Sequence, residues 1–240
     1  MKDRSLPSAK LLETQAKWLY PARSRLLRKI GIAHKQRVLD LGSGYGMVTG
    51  ELVRRSRGYV LALDCNLNSL REIEFRPNLF RIAGSSAKLP LKSEVFDLIF
   101  CQCSLLWMAP IETTILEINR VLAPAGNLVV LEPDYEGLIE WPDKIATRHL
   151  WLNALSRSAA DPAIGRKLPV FLTNAGFEVS TYLLDRIDAP SPLRFEFLMD
   201  LPLTDAENDE LHEIIARSAN LGPTQQIAHL PFFLIVATKR

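Results

Sequence analysis

Five short apolar runs, each set off by turn residues and mostly followed by helical spacing, dominate the first half of the chain. They are Val38-Leu39-Asp40-Leu41, Tyr59-Val60-Leu61-Ala62-Leu63-Asp64, Leu79-Phe80-Arg81-Ile82-Ala83, Phe96-Asp97-Leu98-Ile99-Phe100-Cys101 and Asn127-Leu128-Val129-Val130-Leu131. A strand that is apolar at nearly every position is covered on both faces, which a parallel sheet flanked by helices provides. Helical patterns over 47–57, 69–75 and 111–122 separate the runs. The alternation predicts a doubly wound α/β sheet.

The second half is less regular. A helix over 166–174 is closed by Gly176, and Phe177 to Leu183 reads as a sixth strand. Residues 185–202 are rich in proline and read as irregular. Thr204 and Glu207 have capping-box spacing ahead of a helix through Asp209 to Ala219, and Phe232 to Ala237 reads as a terminal strand. One domain is expected, with an N-terminal helical segment (1–34), a cofactor-binding core (35–134) and a substrate-side portion (135–240) of helices, an insertion that could act as a lid, and the last strands.

Composition narrows the partners. Lys plus Arg total 29 against 27 for Asp plus Glu, a net charge of +2. That balance lacks the broad positive field that a phosphate backbone selects, so nucleic acid is disfavoured. The local cluster Arg23, Arg25, Arg28 and Lys29 reads as a solvated helix face. No run has the length of a membrane span, and Met1-Lys2-Asp3-Arg4 leads into polar sequence without the apolar core of a signal peptide. A cytoplasmic setting is expected. The three cysteines, Cys65, Cys101 and Cys103, are odd in number and lack zinc-site spacing, so no metal site is expected and they read as reduced thiols. Cys101 and Cys103, two apart on a strand, should share one face.

The segment Asp40-Leu41-Gly42-Ser43-Gly44-Tyr45-Gly46 carries the chemistry. Glycines between a strand and its helix permit positive φ and let a ligand lie directly on the backbone. In open α/β sheets this is the ligand-binding edge. The dinucleotide fingerprint has the spacing G-x-G-x-x-G, whereas here Met47 takes the place of its third glycine or alanine. Asp40 stands two residues before the first glycine, where a carboxylate opposes a pyrophosphate and suits a cation. Asp64 ends the second strand, where a carboxylate can accept both hydroxyls of a ribose. Asn66 or Asn68 can cap the next helix.

With these residues the chain resembles the class I S-adenosylmethionine-dependent methyltransferases, in particular the small-molecule group (methyltransferase type 11) that includes the ubiquinone- and menaquinone-biosynthesis enzymes. RVLDLGSGYG (37–46), ALDCN (62–66), GSSAKLPL (84–91), FDLIFCQCSLLW (96–107) and INRVLAPAGNLVVLEP (118–133) carry the likeness in family order. The resemblance implies a Rossmann-like seven-stranded sheet with an antiparallel last strand and S-adenosyl-L-methionine as cofactor. It implies that Asp40, Gly42, Gly44 and Gly46 shape the methionine side while Asp64 holds the ribose. Ser43, Cys65, Ser85, Ser86, Cys101 and Cys103 complete the expected lining, and Tyr20 could close over it from the N-terminal helix. The chain departs from the family at three places. Ser85-Ser86 stand where an Asp-Ala pair is common, Pro124-Ala125-Gly126 replaces a Pro-Gly-Gly turn, and Leu106-Trp107 stand where a histidine often follows the fourth strand.

Methyl transfer from a sulfonium is a direct displacement that needs alignment and exclusion of water, with a base only when the nucleophile must lose a proton. A small-molecule methyl acceptor is expected, bound by residues outside the cofactor motifs. Glu132-Pro133-Asp134-Tyr135 follows the fifth strand at the ligand edge, and the run Trp141 to Trp151 with Phe195 and Phe197 could form the lid. Asp134 and His149 are the candidate bases. A non-catalytic cofactor-binding relative and a nicotinamide-dependent oxidoreductase are the competing readings, opposed respectively by the presence of Asp40 and Asp64 and by the G-x-G-x-G spacing.

Overall fold

The computed structural model describes residues 7–184 and 186–240. The readings of Met1-Lys2-Asp3-Arg4 and of Asp185 lie outside the described residues. Helix α1 (Ala9–Lys29) precedes strand β1 (Arg37–Leu41), α2 (Thr49–Arg55), β2 (Tyr59–Asp64), α3 (Leu67–Arg71) and β3 (Leu79–Ala83). Then come β4 (Phe96–Gln102), α4 (Ile111–Val121), β5 (Leu122–Pro133), the short β6 (Ile139–Trp141), α5 (Arg148–Arg157), α6 (Ile164–Asn174) and β7 (Phe177–Leu183). Helices α7 (Leu193–Met199) and α8 (Asp205–Ala219) lead to β8 (Ile227–His229) and β9 (Phe232–Lys239).

The seven-stranded sheet has the order β3-β2-β1-β4-β5-β9-β7. Its first five strands are parallel, and β9 runs antiparallel to both β5 and β7. The period-two alternation of the strands divides the core. Leu39, Leu41, Ile99, Leu128, Val130 and Ile235 pack on one face, while Val38, Val60, Leu98, Phe100, Val129 and Leu234 pack on the other. The order reverses between β1 and β4, so a crevice opens beyond their carboxyl ends. Residues 134–160, which follow β5, and 186–231, which precede β9, lie off that same edge and supply the material that covers it.

Several elements differ from the sequence expectation. Residues 186–202 contain a helix, α7, because Phe195 and Leu198 bury one side of about two turns that start after Pro192. Helix α8 begins at Asp205, since Glu207 is its third residue and not part of a preceding loop. Strand β5 runs through Pro124-Ala125-Gly126, where Ala125 takes φ +58 and the register against β4 shifts. The β6–β8 ribbon pairs two three-residue segments 88 positions apart, too short to show a period. Cys101 and Cys103 do not share a face. Cys103 lies beyond the end of β4 at φ +53, which turns it toward the face opposite Cys101.

The capping box of α8 is complete, with Thr204 Oγ1 accepting the Glu207 N–H at 3.3 Å and the Glu207 carboxylate accepting the Thr204 N–H at 2.8 Å. Thr204→Ala should therefore cost about 0.5–2 kcal/mol of stability. Urea denaturation checks it, and an unchanged midpoint would show that the cap carries no weight.

Candidate cofactor and acceptor site

The glycine turn lies over the ends of β1 and β2. Gly42 and Ser43 both donate their N–H to Leu63 O, at 2.8 and 3.1 Å. Gly42, Gly44 and Gly46 take φ of +77, +50 and +74, a region L side chains seldom occupy. A Cβ on Gly42 would lie 2.5 Å from Ser104 Cβ, and one on Gly46 2.9 Å from Ile73. The turn thus packs against the segment after β4 on one side and the residues just after α3 on the other. A cavity of about 500 Å³ opens beside it, lined by Tyr45, Met47, Asn66, Asn68 and Ser69 among others.

Three buried acids, Asp40, Asp64 and Glu132, stand at or next to the carboxyl ends of β1, β2 and β5 at this edge. Asp40 Oδ2 accepts the Thr49 hydroxyl at 2.6 Å. Burial above all, then the nearby Asp64 charge, raise its pKa to about 7 against the opposing effects of Thr49 and Arg23. Asp64 accepts the Gly44 N–H at Oδ2 and the Asn66 N–H at Oδ1, both at 2.8 Å. Asn66, not Asp64, caps α3 by accepting the N–H groups of Asn68 and Ser69. Each Asp64 oxygen keeps a lone pair for a ligand hydroxyl. Glu132, at the end of β5, was not singled out as a site residue by the sequence. Its Oε1 accepts the Ser104 and Leu105 N–H groups, both at 2.8 Å, and burial raises its pKa to about 7. The signal that marked Asp64, an acid closing a buried apolar strand, marks Glu132 equally well.

Arg23 corrects the reading of the basic cluster. It is only 3% exposed, because it pairs with Glu51 on α2 at 2.8 Å and donates to Ala16 O and to Gln102 Oε1 at the end of β4. Helix α1 is thereby pinned beside the crevice, and Tyr20, half exposed on the same helix, lies against the Arg23 guanidinium.

The other expected site residues are placed as follows. Ser43 Oγ is buried with no hydrogen-bond partner, a polar group in the turn that a ligand could satisfy. Ser85 Oγ accepts the Ala87 N–H and Ser86 Oγ accepts the Thr114 hydroxyl, so both stand in the loop after β3. Cys65 is exposed directly after β2, and Cys101 is fully buried. The two candidate bases are held apart by separate partners. Asp134 is 3% exposed and paired with Arg166 at 2.6 Å, and it also accepts the Gly137 N–H. His149 is exposed on α5 and contacts Glu210 of α8 at 3.0 Å. Of the expected lid aromatics, Trp141 is exposed, whereas Trp151 is buried with Tyr135 stacked on it at 4.5 Å and Phe195 is buried under α7.

A parallel sheet with this strand order, an antiparallel β9 and a glycine turn between two buried acids defines a Rossmann-like chain of methyltransferase architecture. Residues 39–130 match the family described as Methyltransferase domain. The demethylmenaquinone methyltransferase of Mycolicibacterium paratuberculosis is 32% identical over 115 residues, 48% of this chain and 47% of that protein. The malonyl-[acyl-carrier protein] O-methyltransferase of Halorhodospira halophila is 35% identical over 101 residues, 40% of this chain and 34% of that protein. The matched stretch spans less than half the length of each. Among solved structures, an S-adenosylmethionine dependent methyltransferase from Mesorhizobium loti superposes with a TM-score of 0.60 at 19% identity, covering 92% of this chain and 97% of that one. Among the described residues no helix is long and apolar enough to cross a membrane.

Proposed function

We propose that the chain is an S-adenosylmethionine-dependent methyltransferase that moves a methyl group by direct displacement onto a small-molecule acceptor. The observation that carries this reading is the turn at the β1–β4 switch point, where Gly42, Gly44 and Gly46 take positive φ between the carboxyls of Asp40 and Asp64 and the buried Ser43 Oγ is left for a ligand to satisfy. Asp40 answers a cationic ligand, and the remaining lone pairs of Asp64 answer a vicinal diol. When bound, the cofactor supplies the activated methyl group. The chain's own part is to hold it in register, exclude water with the covering segments and align the acceptor.

The acceptor side of this reading is an apolar cavity of about 550 Å³, lined by Leu105, Leu106, Met108, Ile111, Ile164 and Phe171 among others. It reaches the glycine turn through Met108, whose Cε lies 3.1 Å from the position of a Gly42 Cβ. A relative named for methylation of demethylmenaquinone supports an apolar small molecule here. Asp134, tied to Arg166, and His149, tied to Glu210, serve to hold the cover in place. A cytoplasmic setting belongs to the same proposal, since Cys65, Cys101 and Cys103, odd in number and without zinc-site spacing, suit a reducing compartment.

Calorimetric titration tests the assignment. S-adenosylmethionine and S-adenosylhomocysteine should bind with measurable heat, and NAD and NADP should not. Tight binding of a nicotinamide cofactor in place of the adenosyl ligands would remove the assignment.

A further inference from the structure

Glu132 is an acid without a counter-charge. Its side chain is fully buried, Oε1 is held by two backbone amides, and Oε2 has no hydrogen-bond partner. Buried carboxylates are ordinarily paired, because isolation from water disfavours the charged form. Here the compensation consists of the amides of Ser104, Leu105 and Leu106, and no cationic side chain acts on it.

The carboxyl is also one residue removed from the glycine turn. Ser104 donates its N–H to Glu132 Oε1 and its hydroxyl to Leu41 O, and its Cβ fills the space a Gly42 Cβ would need. Strands β1, β4 and β5 are adjacent, so Asp40 and Glu132 flank the end of β4 and both act electrostatically on Cys101. The titratable groups that this carboxyl acts on are the Cys101 and Cys103 thiols from β4 and its end and the Tyr135 hydroxyl beyond β5, and Asp40 from β1 acts on Cys101 from the other side. Arg23 acts on Asp40 and Cys103 but is committed to Glu51. Among the described residues, no cationic side chain is therefore seen to act on this carboxyl.

We infer that Glu132 is the counter-charge to the sulfonium of bound S-adenosylmethionine, losing its proton to solvent when the cationic cofactor binds and keeping it when the neutral thioether product binds. This rests on the cofactor reading above. The two ligands share the amino-acid and adenosyl groups that Asp40 and Asp64 address, and they differ in the methyl group and its charge. A difference in proton uptake between them isolates the group facing the sulfonium. Ionisation confined to the donor complex would also weaken the hold on the spent cofactor after transfer.

The test uses the whole chain and both ligands, titrated calorimetrically at pH 6 in buffers of differing ionisation enthalpy. S-adenosylmethionine should release about one more proton than S-adenosylhomocysteine, because a binding-competent ionised fraction is scarce at that pH. The affinity ratio of the two ligands should rise about tenfold from pH 6 to pH 8 and then level off. Glu132→Gln keeps the carbonyl that the Ser104 and Leu105 amides need and should abolish both differences while S-adenosylhomocysteine still binds. In the unaltered protein, carbon-13 labelled glutamate should show one buried carboxyl ionising with S-adenosylmethionine alone, which serves even where the glutamine variant does not fold. Equal proton release for the two ligands overturns the inference. So does a difference that survives in Glu132→Gln, or that disappears in Asp40→Asn alone. Failure of both ligands to bind removes the cofactor reading itself, and this inference with it.

Discussion

Arg23→Ala is expected to lower the folding stability by about 3 kcal/mol, the low end of the cost of breaking a buried ion pair by removing one partner. The reason is the geometry of the guanidinium. It reaches Glu51 Oε2 at 2.8 Å through both Nε and Nη2, and its Nη1 donates to Ala16 O at 3.0 Å and Gln102 Oε1 at 2.9 Å. Truncation leaves the Glu51 carboxylate, 6% exposed, with Arg55 as its remaining cation at 2.6 Å, which is why the low end applies. The Gln102 and Ala16 oxygens would lose this donor as well. Arg28→Ala, on the exposed side of the same helix, should stay within about 0.5 kcal/mol. The paired change Arg23→Met with Glu51→Leu should recover most of the loss, since a well-packed apolar pair replaces both charges. Urea denaturation of the three variants and the parent measures this. A loss below about 1 kcal/mol for Arg23→Ala would mean that α1 is held by its apolar stripe alone.

Asp64→Ala should weaken S-adenosylhomocysteine binding by roughly 10- to 150-fold, the value of charge-assisted hydrogen bonds worth about 1.5–3 kcal/mol. The structure adds a second consequence. Because Asp64 also accepts the Gly44 and Asn66 N–H groups, its removal leaves two backbone donors without their partner and should lower stability in the absence of ligand. A carboxylate that served the ligand alone would leave that stability nearly unchanged. The observed bonds join the two effects, and the cap itself belongs to Asn66. Asp64→Asn keeps one acceptor without the charge and should fall between the parent and Ala in affinity. Calorimetry and denaturation on the same proteins separate the contributions. Full affinity in a folded Asp64→Ala variant would take Asp64 out of the cofactor site.

The sequence by itself determined the sheet and its ligand edge. Strands such as Tyr59–Asp64 are apolar at nearly every position, and that property follows from burial on both faces wherever the strand sits. The glycine turn was legible for a similar reason, since positive φ restricts residue choice locally. Thr204 and Glu207 were legible as a cap because both halves of that contact lie within one turn. Tertiary structure alone decided which charges are buried. Arg23 sits among exposed basic residues, and its burial depends on a carboxylate 28 positions away. Asp134 and Glu132 are two residues apart at the same edge. Arg166, 32 positions on, claims Asp134, while the amides after β4 take one oxygen of Glu132 and leave the other unpaired. Cys103 leaves the face of Cys101 because the chain turns to φ +53 just beyond the strand. Periodicity records the solvent a residue meets on average, whereas a specific partner is set by packing between elements remote in the chain, and no local pattern encodes it.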